Sequence, residues 1–284
     1  MIHVVIPVHN RLKCTIACLR SLEGQINVND LSIVVVDDAS TDGTKNYLKV
    51  NFPKIKILDG TGFLYWCGSV LYGIEHVLKT SKKGDWVVLV NNDTELSSDA
   101  ILNSVRLSEK KKRKALVGSL TVSANDRQTI IKSGTVVKSW FFNKTKHIYE
   151  GIKLNQISDK DSIEVDFLTG RCLLHPVEIF EKVGPYDVKN FIHYGADDEF
   201  SIRAKKFGYS VLLCPQSVVF LKPNEAILTK TISIKKFFFT FFSIRSSSNV
   251  INKFRLTIKI VPFYAKITFF LIGIMKSFYI FLRK

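Results

Sequence analysis

The chain has 284 residues, 46% of them apolar, enough for one large domain or a catalytic domain with an appendage, and this excludes a disordered protein. Lys and Arg number 41 against 25 Asp and Glu, and the formal net charge of +16 predicts an anionic partner: nucleic acid, lipid head groups or phosphorylated ligands. The scattered Cys14, Cys18, Cys67, Cys172 and Cys214 form no C-x-x-C pair, so neither a disulfide framework nor a zinc site is predicted, which fits a reducing cytosol.

The opening "MIHVVIPVHNR" enters a strand directly, without the charged region and cleavage site of an export signal. "IHVVIP" reads as a strand, Arg11 to Glu23 as a helix closed by Gly24, and "LSIVVVD" as a strand. Thr41 to Asn51 reads as a helix stopped near Pro53, and "KIKIL" as a strand. A glycine-punctuated loop, "GTGFLYWCG", precedes a helix from about Ser69 to Leu78 and the strand that ends "VVLVNND". This alternation predicts an α/β fold with a mostly parallel sheet and helices on both faces. Ligands of such sheets collect beyond the C-terminal strand ends, where "HNR", "DDAS" and "NND" all fall.

Beyond Ser97 a helix runs to about Lys110 and ends in the solvated basic run "EKKKRK". The pieces "ALVGSLTV", "TIIKSGTVV" and "HIYEG" follow as short, antiparallel-looking strands. "VDFLTGRCLLHP" and "VEIFEKVGPYD" read as strand then helix, and "GADDEFSIRAKKFGYSVLL" as helix then strand. A compositional break near Pro223 divides the chain into residues 1–222 and 223–284.

From Ala226 to Lys284 there is no acidic residue; the segment supplies +11 of the +16 charge and 11 of the 21 Phe, in runs such as "KKFFFTFF" and "ITFFLIGIM". Interleaved cations and aromatics suit the surface of an anionic bilayer better than a nucleic acid, and the rest of the chain retains only +5 and no nucleic-acid motif. The longest unbroken apolar run, Ile267 to Met275, is nine residues, against the roughly 20 that cross a bilayer, so a helical segment lying in the interface is expected. The alternative is a helical cap on the main domain or on a second copy; a homodimer is left open.

Three acidic positions carry the chemistry. Asp37 and Asp38 close a strand just before a helix whose N-cap could be Ser40 or Thr41; a carboxylate there can accept from a ribose hydroxyl or a base N–H, or simply cap the turn. Asp93 closes "VVLVNND", and one carboxylate is enough for Mg²⁺ or Mn²⁺ whose other ligands are water and diphosphate oxygens, with Asn92 contacting the sugar or ribose. The alternative is a turn initiated by Asp93 and Thr94. Asp197, Asp198 and Glu199 sit at a helix start, where the macrodipole favours ionised carboxylates; they offer a general base for a hydroxyl nucleophile or ordinary charge compensation. Tyr65 and Trp66 read as packing residues, with stacking of Trp66 on a sugar ring as the alternative, and His9, His76, His147, His175 and His193 share no metal-ligand spacing.

Seven stretches, "VVIPVHNR", "IVVVDDASTDGT", "GTGFLYWCGSVLYGI", "WVVLVNNDTEL", "FLTGRCLLHP", "VGPYD" and "YGADDEFSIRAKKFGY", occur in the order found in bacterial family 2 glycosyltransferases. The chain resembles that family over about Met1 to Phe220, particularly its rhamnosyltransferase-like members that build capsule and O-antigen polysaccharides. The resemblance implies a GT-A type, Rossmann-like sheet and an inverting hexosyl- or rhamnosyltransferase that uses a UDP- or dTDP-sugar and a divalent cation. It implies that Pro7, Asn10, Arg11, Asp38 and Asn92 hold the nucleoside and Asp93 the metal. It further implies that Thr169 and Gly170 line the donor sugar or acceptor, where Trp66, Asp198 and Glu199 are also assigned, and that Asp197 is the base. The motif order together with the acid-free tail leads to the expectation of a glycan or lipid-linked acceptor and a peripheral location on the cytoplasmic face of the plasma membrane. The chain departs from the family at Asn91, which replaces a carboxylate, at Leu71, and in "VVFLKPNE", which lacks a histidine.

Overall fold

The computed structural model describes residues 1–25, 31–157, 162–222 and 233–283. The expected boundary at Pro223, with Lys230 and Lys284, lies outside the described residues.

Strands β1 (Ile2–Val8), β2 (Leu31–Asp37), β3 (Lys56–Asp59) and β4 (Trp86–Leu89) alternate with helices α1 (Leu12–Glu23), α2 (Thr44–Asn51) and α3 (Tyr65–Leu78). The second half comprises β5 (Thr94–Leu96), α4 (Ala100–Lys110), β6 (Ala115–Ser123), β7 (Ile130–Lys132), β8 (Thr135–Ser139), β9 (Lys144–His147), β10 (Ile163–Glu164), β11 (Leu173–Pro176), α5 (Ile179–Val183), α6 (Ala196–Lys206) and β12 (Ser210–Leu221). Helices α7 (Ile234–Phe242), α8 (Val250–Ile260) and α9 (Lys266–Arg283) end the chain.

The main sheet has the order β10-β12-β6-β11-β4-β1-β2-β3. β1 is parallel to β2 and β4, β2 to β3, and β6 to β12, while β11 runs antiparallel between β4 and β6. The predicted mostly parallel sheet is therefore present. "ALVGSLTV", expected among antiparallel pieces, lies in β6, which is antiparallel to β11 and β7 but parallel to β12, and all nine residues of the strand are buried.

Alternation along each strand divides the core. Val5, Val34, Val36 and Leu89 face α3 and α6, whereas Val4, Ile6, Val35 and Val88 face α1, α2 and α4. α3 lies close on the sheet because residue 73 is glycine; a Cβ there would stand 2.4 Å from Val5 Cγ1. Two helix starts differ from the sequence reading. α2 begins at Thr44 rather than Thr41, because Asp42, not Ser40 or Thr41, accepts from the Thr44 N–H. α3 begins at Tyr65 rather than Ser69, which takes Tyr65 to Gly68 out of the expected loop and into the helix.

The C-terminal helices pack on the domain by one face. Ile260, Val261 and Ala265 form a cluster with Phe167 and with Ile202 of α6. Lys259 pairs with Asp187 at 3.0 Å, and Asn252 and Arg255 donate to the carbonyls of Tyr194 and Asn190. Phe238, Phe242, Phe254, Phe263, Ile267 and Met275 remain exposed. The segment Phe263–Arg283, with mean hydropathy 1.6, is long and apolar enough to cross a membrane by length and composition, although the unbroken apolar run within it is shorter.

Candidate active site

Turns at the strand tips are held in unusual backbone. Asn10, Arg11, Ala39, Tyr65 and Cys172 all have φ between 52° and 65°, a left-handed conformation that non-glycine residues adopt at a cost and that concentrates at functional sites. The β1 and β2 tips are cross-linked. Asn10 N–H donates to Ser40 Oγ at 2.7 Å, its Oδ1 accepts from Thr41 N–H at 2.8 Å, and Asp37 Oδ1 accepts from Ser40 N–H at 2.9 Å.

Asp38 is buried, yet both its oxygens are used: Oδ1 accepts from Gly62 N–H at 2.6 Å and Oδ2 from Tyr65 N–H at 3.0 Å. One side chain thereby shapes the loop after β3 and starts α3, which explains the early helix start. His9 Nδ1 contacts the Asp38 carbonyl at 2.7 Å. Pro7, expected against the nucleoside, is instead buried within β1 opposite Val36, because the strand continues past it to Val8.

The "NND" tip spreads its side chains in three directions. Asn91 Oδ1 accepts from Trp66 Nε1 at 2.8 Å. Asn92 Nδ2 donates to Thr15 Oγ1 at 3.0 Å and to the Asn10 carbonyl, so it braces the β1–α1 turn. Asp93 Oδ2 pairs with Arg11 Nη1 at 3.1 Å, while its Oδ1 is buried without a partner among the described residues. Trp66 is wedged beside Tyr186, with ring centroids 6.1 Å apart, and under Gly170, where a Cβ would stand 2.4 Å from its Cζ2. This geometry supports the packing reading of Trp66 over sugar stacking.

The opposite wall is the turn before β11 and the start of α6. Gly170 N–H donates to Asp197 Oδ2 at 3.3 Å, and Asp198 N–H to Asp197 Oδ1 at 3.2 Å. Thr169, Asp197 and Asp198 are half-buried. Burial raises the pKa of Asp197 against the hydrogen bonds and the Arg171 charge that lower it. Asp198 is also raised, by burial and by Asp197. The helix start was expected to favour ionised carboxylates; desolvation of two adjacent acids outweighs it. Glu199, expected beside the sugar, is buried and bonded through both oxygens to Nε and Nη2 of Arg203, whose Nη1 and Nη2 also donate to the carbonyls of Val183 and Pro185. It therefore holds Arg203 against the turn that follows α5, buried away from the strand tips.

The three acids are thus joined by a chain of contacts: Asp38 to Tyr65, then Trp66, which bonds Asn91 beside Asp93 and packs under Gly170, which bonds Asp197. Sequence reasoning missed several residues around them. His193 lies 6.2 Å from the Tyr65 ring with a buried, unpartnered Nδ1, its pKa lowered by burial and by Arg245. Arg245, from the α7–α8 connection, stands 5.9 Å over the Tyr65 ring, and Arg171 has buried Nε and Nη1 without a partner among the described residues.

No group of three or more His, Cys, Asp or Glu side chains suited to a metal occurs among the described residues. The orphaned Asp93 Oδ1 nevertheless fits a hard cation that takes one protein carboxylate and completes its shell with diphosphate oxygens and water.

Comparison with known proteins places this architecture. GalNAc-T7 with UDP, GalNAc and Mn²⁺ superposes with a TM-score of 0.61 at 16% identity, over 78% of this chain and 43% of that one. TarS 1-349 of S. aureus in complex with UDP-GlcNAc gives 0.58 at 13% identity, over 99% and 73% of the two chains. The mannosyltransferase PcManGT from Pyrobaculum calidifontis in complex with GDP-Man and Mn²⁺ gives 0.57 at 14%, over 98% and 69%. The chain spans less than half the length of GalNAc-T7, and likeness at such identity shows the GT-A fold alone. No curated protein sequence matches the chain. The sequence profile for glycosyl transferase family 2 does match, over residues 3–184, and with the strand order and acidic rim described above the chain belongs to that family.

Proposed function

We propose that the protein is an inverting glycosyltransferase that moves a hexosyl or rhamnosyl group from a UDP- or dTDP-sugar to a hydroxyl of a glycan or lipid-linked acceptor in surface polysaccharide synthesis. The observation that carries this reading is the contact chain from Asp38 through Trp66 and Gly170 to Asp197, which lines one rim with groups for a nucleoside, a diphosphate and a proton. The nucleoside lies against Asp38, Asn10 and Arg11, and the sugar against Thr169, Gly170 and Asp198. Asp197, with one oxygen braced by Gly170 N–H, takes the proton of the acceptor hydroxyl as that oxygen bonds to the anomeric carbon and the bond to the diphosphate breaks. Its pKa is raised by burial, which makes the carboxylate, when ionised, a stronger base than an exposed one. Asp93 would hold a Mg²⁺ or Mn²⁺ ion, which when bound stabilises charge on the departing diphosphate.

Residues 1–222 form the transferase domain in this reading, and residues 223–284 bring it to anionic lipid on the cytoplasmic face as a peripheral protein. Support comes from the acid-free composition and the exposed phenylalanines of α7 and α8. A surface position for α9 is favoured by Lys276 within the helix, which donates to the Asn143 carbonyl, and by burial of Gly273, Ser277 and Phe281 against protein. Flotation with vesicles containing phosphatidylglycerol tests this: replacing Phe238, Phe239 and Phe242 by Ser should lower binding several-fold, and unchanged binding would refute it.

A non-catalytic sugar-nucleotide or carbohydrate-binding partner of an assembly complex is the second reading, favoured by Arg11 on Asp93 and Trp66 on Asn91. Incubating the full chain with UDP-, dTDP- and GDP-sugars, Mn²⁺ and a glycan acceptor panel separates the two. Acceptor-dependent release of nucleoside diphosphate supports the transferase, whereas binding without release supports the partner.

A further inference from the structure

Eight buried side-chain polar atoms lack a hydrogen-bond partner among the described residues, and four of them belong to the strand tips and turns described above: Asp93 Oδ1, Arg171 Nε, Arg171 Nη1 and His193 Nδ1. Burying a charged donor without a partner is costly, so such atoms in a cleft mark where a ligand belongs. Arg171 is the pronounced case. Its guanidinium is always charged, and its planar fork matches the paired oxygens of a phosphate or carboxylate.

The backbone explains how it is presented. β11 pairs with β4 through Leu173 opposite Leu89 and Leu174 opposite Val88, so Arg171, two residues before β11, lies at the same end of the sheet as Asn91, two residues after β4. The next residue, Cys172, is left-handed at φ 56°, and its carbonyl accepts from buried Ser119 Oγ at 3.1 Å. The turn is therefore pinned from below while Arg171 stands at its edge. Asp197 is near enough to feel the guanidinium charge, yet its oxygens accept from the Gly170 and Asp198 N–H groups.

Signs identify the ligand. Asp93 Oδ1 is an unsatisfied acceptor and calls for a cation, while Arg171 offers unsatisfied donors and calls for an anion. A diphosphate with its counter-cation supplies both together. We propose that Arg171 grips the diphosphate of the donor, placing a fixed positive charge beside Asn91. The assignment rests on the nucleotide-sugar reading of the cleft. Arg171 is then a determinant of diphosphate over monophosphate recognition and stabilises the leaving group as its bond to the sugar breaks and its charge grows.

Calorimetric titration of the full chain with UDP and UMP, dTDP and dTMP, and GDP and GMP, in metal-free buffer and with Mn²⁺, tests it. For the base that binds, the wild type should prefer the diphosphate. Arg171→Gln should cut that preference about tenfold without metal and less with Mn²⁺, and Arg171→Lys should retain part of it. An unchanged preference in a folded Arg171→Gln protein overturns the proposal. If that variant fails to fold, a Lys variant with the full wild-type preference in metal-free buffer overturns it equally, since a point charge lacks the fork. The same oxyanion chemistry could come from a sugar carboxylate, so UDP-glucuronate and UDP-glucose are compared. Loss confined to the glucuronate assigns Arg171 to the sugar and overturns the diphosphate role. A wild type that binds no nucleotide at millimolar concentration removes the nucleotide reading itself, a failure distinct from that of Arg171.

Discussion

At the β1–β2 end of the cleft, polar side chains are bonded to one another. Asp38 holds Gly62 and Tyr65, and Asn10 holds Ser40 and Thr41. Opposite, at the β11–α6 end, Arg171 and His193 keep buried atoms without partners among the described residues, and burial raises the pKa of two adjacent acids. The first wall is organised by its own hydrogen bonds; the second leaves buried polar atoms for a ligand in the proposed reading. That reading separates recognition of the nucleoside from chemistry at the sugar, and mutations at the two ends should fail differently.

The largest effect is expected at the chemical end. Asp197→Asn keeps the shape of the side chain but removes the proposed base, so turnover should fall about 10²- to 10⁴-fold while nucleotide affinity, measured by calorimetry, stays within about threefold. At the organised end the opposite is expected. Asp38→Ala strands the Gly62 and Tyr65 N–H groups, each costing about 1–3 kcal/mol if left unpaired, so unfolding midpoint and nucleoside affinity should fall together.

The seam between the ends is Trp66 under Gly170. Gly170→Ala would put a methyl group 2.4 Å from the indole, so Trp66 must shift and lose its bond to Asn91. A loss of about 1–3 kcal/mol is expected from such overpacking, with a change in tryptophan fluorescence. The smallest effect concerns pH. Because the folded pKa of Asp198 lies above its unfolded value, its contribution to stability is fully present at acid pH and lost as pH rises through the folded value. Asp198→Asn should therefore gain in unfolding temperature relative to wild type as pH rises, with little difference in acid. Turnover should show an acid limb displaced upward from an ordinary carboxylate, because Asp197 must be ionised to act.

The comparison of the two walls also explains what the sequence could convey. β1 to β4 were legible because unbroken apolar runs alternate with amphipathic spans and polar tips, a local pattern. Asp38, Asp93 and Asp197 were legible because each follows a strand or opens a helix. The start of α3 at Tyr65 was not, since it depends on Asp38, 27 residues earlier in the chain. Arg171 and His193 owe their importance to burial without a partner, which only tertiary structure reveals. Glu199 could have been read better: Arg203 stands four residues on, at the spacing of a helical ion pair. The direction of the Asp197 shift was misjudged because the helix start is local while desolvation is not.

The most direct test is a crystal structure of the full chain with its preferred nucleoside diphosphate and Mn²⁺. The account predicts the nucleoside against Asp38, the diphosphate between Asp93 Oδ1 and the Arg171 fork, and Asp197 facing the open side where sugar and acceptor would meet. A nucleotide bound away from this rim, or one whose diphosphate points away from both Asp93 and Arg171, would contradict it.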